Sequence, residues 1–147
     1  MVLLVHHAEA EHPGTDPMQP LSARGRAQAE LVAREAAARG FAPELVWHSG
    51  KLRARQTAEA CWRACNPFAA MTAVRGLLPG DPPVWMRDLL VDETRHILIA
   101  GHRPHLPALL ALLVTGAAPL PTHGAVALEA DGTGWRECWR IDPSDPD

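Results

Sequence analysis

The chain has 147 residues, 47% of them hydrophobic and 21% charged, which is the size and composition of one packed domain and excludes the low hydrophobicity and high net charge of a disordered chain. A formal charge of −3 provides no basic surface for nucleic acid or an anionic membrane, so any positive potential has to be local. No apolar run reaches the roughly 18 residues of a membrane span, and the N-terminus lacks the basic region and cleavage site of a secretory signal.

In chain order, residues 2–5 form an uninterrupted apolar strand of the kind buried on both faces. Residues 11–20 carry Pro13, Gly14, Asp16, Pro17 and Pro20 and must be a loop. Ser22 is placed to cap a helix in which Ala27, Leu31, Val32 and Ala36 recur at helical spacing, and Gly40 supplies its stop. A second short strand at 45–47 runs into His48, Ser49 and Gly50, then a helix from about 51 to 65 closed by Asn66 and Pro67. Residues 71–83 are rich in Gly and Pro and read as irregular, with a short helix near 84–90. The third strand, 96–100, ends in Gly101 and His102, and a helix over 106–115 stops at Gly116. Strands at 125–129 and 135–141, joined by Asp131-Gly132-Thr133-Gly134, complete the pattern as an antiparallel hairpin.

Alternating strands and helices predict an α/β fold with a mostly parallel central sheet. In such sheets ligands bind beyond the carboxyl ends of the parallel strands. Here His6 and His7 follow the first, His48 and Ser49 the second, and His102 the third. No serine stands in a Gly-x-Ser-x-Gly elbow, so this is not a serine-hydrolase site. Cys61 and Cys65 lie one helical turn apart with no second ligand pair at zinc-site spacing, which points to reduced structural thiols and a cytoplasmic setting.

His7 sits where a buried strand meets a loop, and a neutral imidazole there is a competent nucleophile toward phosphorus. Arg53 lies in the first turn of a helix whose N-terminal amides favour anions, and a guanidinium can grip two phosphoryl oxygens at once. Spacing alone leaves open whether Arg53 or Arg55 points inward. His102, beside the transferring group, would stabilise its equatorial oxygens. His12, His48, His96, His105 and His123 read as structural. A metal site from His6, His7 and His102 is disfavoured, since adjacent histidines on a strand point to opposite sides.

These blocks together resemble the histidine phosphatase superfamily, also called phosphoglycerate-mutase-like. Leu3-Leu4-Val5-His6-His7-Ala8 is similar to its Arg-His-Gly or Arg-His-Ala signature, Ser49-Gly50-Lys51-Leu52-Arg53-Ala54-Arg55-Gln56-Thr57 to its second arginine block, and Gly101-His102 to its late histidine block. The segment from Pro20 to Gly25 resembles the opening of its first helix. The short length and the passage Leu77-Leu78-Pro79-Gly80-Asp81 resemble the SixA-type branch.

The resemblance implies one domain over residues 1–147, built as a sandwich with helices on both faces of the sheet. It implies a phosphohistidine phosphatase passing through phospho-His7, with His102 as the second catalytic histidine, Arg53, His6 and Ser49 at the substrate, and no cofactor or metal. The expected partner is a phosphorylated protein bearing phosphohistidine, or a small phosphorylated molecule. Asp81 is the nominee for a general acid, against the plainer reading of a turn aspartate.

His6 stands where the signature has arginine. It offers at most one inward donor and is half charged only near its ordinary pKa of about 6.5. A phosphoryl-binding protein without turnover is therefore the alternative to an enzyme.

Overall fold

The computed structural model describes residues 1–144. Six strands form one sheet in the order β3-β2-β4-β1-β5-β6. They are β1 (Val2–His6), β2 (Leu45–His48), β3 (Ala70–Ala73), β4 (Ile97–Gly101), β5 (Ala125–Ala130) and β6 (Trp135–Ile141). The ladders β1–β4, β2–β4 and β2–β3 are parallel, while β1–β5 and β5–β6 are antiparallel. The mostly parallel sheet and the terminal hairpin are both as the sequence predicts.

Alternation along β1 and β4 builds the sandwich. Leu3, Val5, Leu98 and Ala100 face one layer, where they meet Val32, Ala33 and Ala36 of α1 (Ala23–Ala38) and Ala58 and Cys61 of α2 (Leu52–Cys65). Val2, Leu4, Ile97 and Ile99 face the other, packed on Met86 and Leu90 of α3 (Pro83–Leu90) and Leu106, Leu109 and Leu110 of α4 (His105–Leu113). Both central strands are fully buried, which explains why they read as continuous apolar runs rather than alternating ones.

Ser22 caps α1, its Oγ accepting the Gly25 N–H at 3.0 Å, and Gly40 takes the left-handed φ of +79° that ends it. The segment read as irregular over 71–83 instead opens with β3, and this is a correction. Its four residues are mostly exposed at the sheet edge, so they carry no buried face to write an apolar alternation into the sequence. Cys61, Cys65 and Cys138 are free, and burial pushes the Cys65 thiol up to about 11 and Cys61 further up. Among the described residues, no helix is long and apolar enough to cross a membrane.

Candidate active site

The parallel ladder of β1 and β4 sets His6 opposite Gly101, so the residues that leave the two strands emerge side by side. His7 and His102 have ring centroids 5.1 Å apart. The His7 backbone is held by its N–H donating to the Gly101 carbonyl at 3.0 Å. Its Nδ1 lies 2.7 Å from the Ala8 carbonyl; a carbonyl only accepts, so Nδ1 carries the proton. The neutral ring then keeps its lone pair on Nε2, which has no protein partner among the described residues.

Polar contacts from two helices fix the loop after His7. Thr57 Oγ1 accepts the Ala8 N–H at 3.0 Å and donates to the Arg53 carbonyl at 2.9 Å. Gln28 Oε1 accepts from Glu9 N–H, and Gln56 Oε1 from Leu21 N–H. Ser22 N–H donates to the Glu9 carbonyl, and α1 approaches so closely that a Cβ at Gly25 would lie 1.8 Å from that same oxygen. Gln28, Gln56 and Thr57 were not singled out in the sequence, because their ligands are backbone atoms remote along the chain.

Arg53 and Arg55, which spacing could not separate, divide clearly. Arg55 is exposed and pairs with Glu59 at 3.2 Å. Arg53 is half-buried, its positive charge acts on both His7 and His102, and it makes no ion pair among the described residues. Ser49 Oγ lies 2.6 Å from His102 Nε2 and accepts the Lys51 N–H at 3.2 Å. His102 is buried, and its Nδ1 has no hydrogen-bond partner.

Asp81 lines a cleft of about 440 Å³ together with Ser49, Val74, Arg75 and Trp85. Its Oδ2 accepts the Leu78 N–H at 2.9 Å. His48, buried, accepts the Gly50 N–H on Nδ1 at 3.0 Å, and His12 accepts from Gly14 N–H in the same way.

His6 departs from expectation. It is buried, and its Nδ1 accepts the backbone N–H of His123 at 2.8 Å, which leaves the ring proton on Nε2. Burial first, then the neighbouring charges of His7, His123, Arg103 and His102, hold its pKa down at about 3. The expected half-charged group is thus a neutral one. His7 is lowered to about 4, by burial and by Arg53 and His123 against the Ala8 hydrogen bond, and His102 to about 3, by burial and by His7, Arg53 and Lys51.

The expectation that His6 and His7 point apart also fails: their ring centroids are 4.6 Å apart. His6 is the last strand residue and His7 lies beyond it, where strict alternation ends. His123, read as structural, joins them. It stacks on His6 at 5.0 Å with the planes 6° apart, and its Nδ1 lies 2.7 Å from the His7 carbonyl. One ring nitrogen from each of His6, His7 and His123 lies within 4.8 Å of the others. A metal fits this trio poorly, because the His6 Nδ1 lone pair is already engaged and its Nε2 bears the proton.

Residues 2–77, more than half of the chain, match the Histidine phosphatase superfamily (branch 1). No curated protein matches the sequence. Among solved structures, the protein from Agrobacterium tumefaciens described as SixA is 27% identical with a TM-score of 0.79, covering 97% of this chain and 96% of that one. The protein histidine phosphatase SixA in complex with tungstate is 23% identical, TM-score 0.82, with the same coverage. A mycobacterial glucosyl-3-phosphoglycerate phosphatase shares the fold at 17% identity and a TM-score of 0.71, over 93% of this chain and 96% of that one. The chain belongs to the histidine phosphatase superfamily and is a phosphatase hydrolase.

Proposed function

We propose that this phosphatase removes the phosphoryl group of a protein phosphohistidine through a phospho-His7 intermediate, residues 1–147 acting as one catalytic domain. The observation that carries the reading is the convergence of three groups: the free Nε2 of His7, the His102 ring with its centroid 5.1 Å from that of His7, and the guanidinium of Arg53, whose charge acts on both. A phosphoryl group supplies acceptors for the last two and an electrophile for the first. Tungstate in the related SixA complex is an oxyanion of the same tetrahedral kind.

In the first step the His7 Nε2 lone pair forms a bond to phosphorus. The bond to the substrate nitrogen breaks, its electron pair stays on the departing imidazole, and water protonates that ring. In the second step water attacks phosphorus, the P–N bond returns its pair to His7, and phosphate leaves. Arg53 and His102 hold the equatorial oxygens as charge builds on them. Ser49 fixes the His102 ring through the 2.6 Å contact.

Since an imidazole leaving group takes its proton from solvent, no internal acid is required. Asp81 is kept only as a candidate acid, its carboxylate being already engaged in a turn. An open cleft reaches Ser49, the partner of His102; we place the leaving group there, where an exposed group on a protein or a small phosphorylated molecule would fit. A cytoplasmic, reducing setting belongs to the same reading and is supported by the three free thiols.

The neutral, buried His6 favours the second reading, a protein that binds phosphoryl groups without turning them over. One experiment separates the two. Incubation with a phosphohistidine peptide labelled on phosphorus should release phosphate and leave an acid-labile label on wild type that His7→Ala lacks. Turnover by His7→Ala at the wild-type rate would remove the covalent route. Tight peptide binding with neither label nor release would establish the binding protein.

A further inference from the structure

The tautomers of three neighbouring histidines are dictated by backbone groups. His7 Nδ1–H donates to Ala8, His123 Nδ1–H donates to the His7 carbonyl, and His6 Nδ1 accepts from His123 N–H. What remains beside the nucleophile is a fixed N–H on His6 Nε2 and a free nitrogen on His123 Nε2. His123 is held at a left-handed φ of +58°, a conformation that a non-glycine side chain adopts at a cost and only where its surroundings require it. Gly124 follows it, its carbonyl accepting the His6 N–H at 2.9 Å, and a Cβ at Gly124 would lie 2.3 Å from the Ile141 carbonyl. The segment is locked so that the His123 ring covers His6.

We infer that His6 and His123 act together as the anion-binding element that replaces the missing guanidinium: His6 Nε2 supplies a constant neutral donor, and His123 Nε2 takes up one proton as the phosphoryl dianion binds. This rests on the reading of His7 as the phosphoryl site. A single arginine carries its charge at every pH, whereas a histidine pair can gain its charge together with the ligand. Around His123 stand His6 and His7 on the β1 side and Arg103 on the loop after β4. Arg103 donates to Thr122 Oγ1 at 2.6 Å and to the Leu120 carbonyl at 3.5 Å, so it pins the segment leading into His123. The groups acting on His6 are His7, His123, Arg103 and His102, and those on His7 are Arg53 and His123, all of them bases. An incoming dianion is the partner they lack.

The test is calorimetric titration with sulfate, a dianion throughout pH 5.5–8.5, in buffers of differing ionisation enthalpy so that protons are counted. Imidazole ¹⁵N spectra identify the ring that receives the proton. At pH 8 to 8.5 wild type should take up close to one proton per sulfate, with affinity falling by up to about tenfold per pH unit at that alkaline end. The His123 Nε2 signal should move to the protonated position on binding.

His123→Asn keeps an N–H for the His7 carbonyl and tolerates the left-handed backbone, and removes only Nε2. It should bind sulfate at least tenfold more weakly at pH 6 and take up no proton. His6→Gln retains a neutral donor and should preserve the uptake. Unchanged proton uptake in His123→Asn, or protonation of His102 in place of His123, would overturn the inference and leave the phosphoryl site intact. Failure of sulfate to perturb the His7 signal in wild type would instead overturn the site itself.

Discussion

Ser49 Oγ and His102 Nε2 stand 2.6 Å apart, across a gap of 53 positions in the sequence. The contact sets the His102 ring while its Nδ1 is left without a partner, so under the proposed mechanism Ser49 is a positioning residue that would act on the phosphoryl group through His102. Ser49→Ala should therefore lower kcat by roughly tenfold, the scale of one lost hydrogen bond of about 1–1.5 kcal/mol, with KM nearly unchanged. Steady-state turnover of a phosphohistidine peptide measures both. A rise in KM at constant kcat would mean that Ser49 binds substrate directly.

Arg53 and Arg55 lie two positions apart on one helix and should behave oppositely. Arg53→Ala removes the half-buried cation that acts on His7 and His102. It should weaken sulfate or vanadate binding by about 1.5–3 kcal/mol, roughly ten- to a hundredfold. Arg53→Lys should recover only part of this, since an ammonium cannot grip two oxygens in a plane. Arg55→Ala breaks only the surface pair with Glu59 and should change affinity by less than twofold. Equal losses at both positions would contradict the inward assignment of Arg53.

How much of this was legible in the sequence depends on the direction of each strand. Parallel strands deliver their exits to the ligand-binding edge, and His7, Ser49 and His102 could be found by following each apolar run to its end. β5 runs antiparallel to β1, so its entrance, with His123 just before it, reaches that edge. A search of strand exits passes over such a residue, although the predicted hairpin contained the signal. The choice between Arg53 and Arg55 and the edge strand β3 were illegible for another reason. Each depends on which side faces the interior, and a helix turn with two arginines or an exposed four-residue strand does not state that.

Gly25 tests the support of the His7 loop. Any Cβ there meets the Glu9 carbonyl oxygen at 1.8 Å, and neither α1 nor the loop can yield without disturbing the Ser22–Glu9 and Gln28–Glu9 bonds. Gly25→Ala, which elsewhere in a helix would stabilise, should cost about 1–3 kcal/mol here and lower kcat by displacing Ala8 and His7. Chemical denaturation and turnover read the two effects. A variant as stable as wild type would mean that the helix and loop can separate freely.

Stability should depend on pH through the same histidines. His6, His7 and His102 titrate near 3 to 4 in the fold and near the ordinary 6.5 in the unfolded chain. Between those values the unfolded chain binds more protons, so their contribution is complete above about pH 6.5 and is lost as pH falls toward 4. The melting temperature should drop by on the order of 5–10 °C from pH 7 to pH 5. Sulfate at saturating concentration should reverse more of this at pH 5 than at pH 7.5, because its binding to the folded chain is, on the inference above, coupled to uptake of a proton. A melting temperature independent of pH over this range would show that the three rings are not held neutral by the fold.

Restoring arginine at position 6 is the direct test of what the histidine replaced, and the geometry dictates that it be done in two steps. His6 is buried, stacked on His123, and its Nδ1 accepts the His123 N–H. His6→Arg alone removes that acceptor, leaves a buried N–H unsatisfied and forces a longer side chain against the His123 ring. It should cost about 1–3 kcal/mol of stability and gain little affinity. His6→Arg with His123→Gly opens the space occupied by the stacked ring and places at position 123 the residue best suited to a φ of +58°. The double variant should bind sulfate about tenfold or more tightly than wild type at pH 8, and its affinity should be nearly flat from pH 6 to 8.5. Calorimetry on the two single variants and the double closes a cycle whose interaction energy should favour the pair. If His6→Arg by itself recovers full affinity, His6 and His123 are independent positions and the loss of the signature arginine needed no second change.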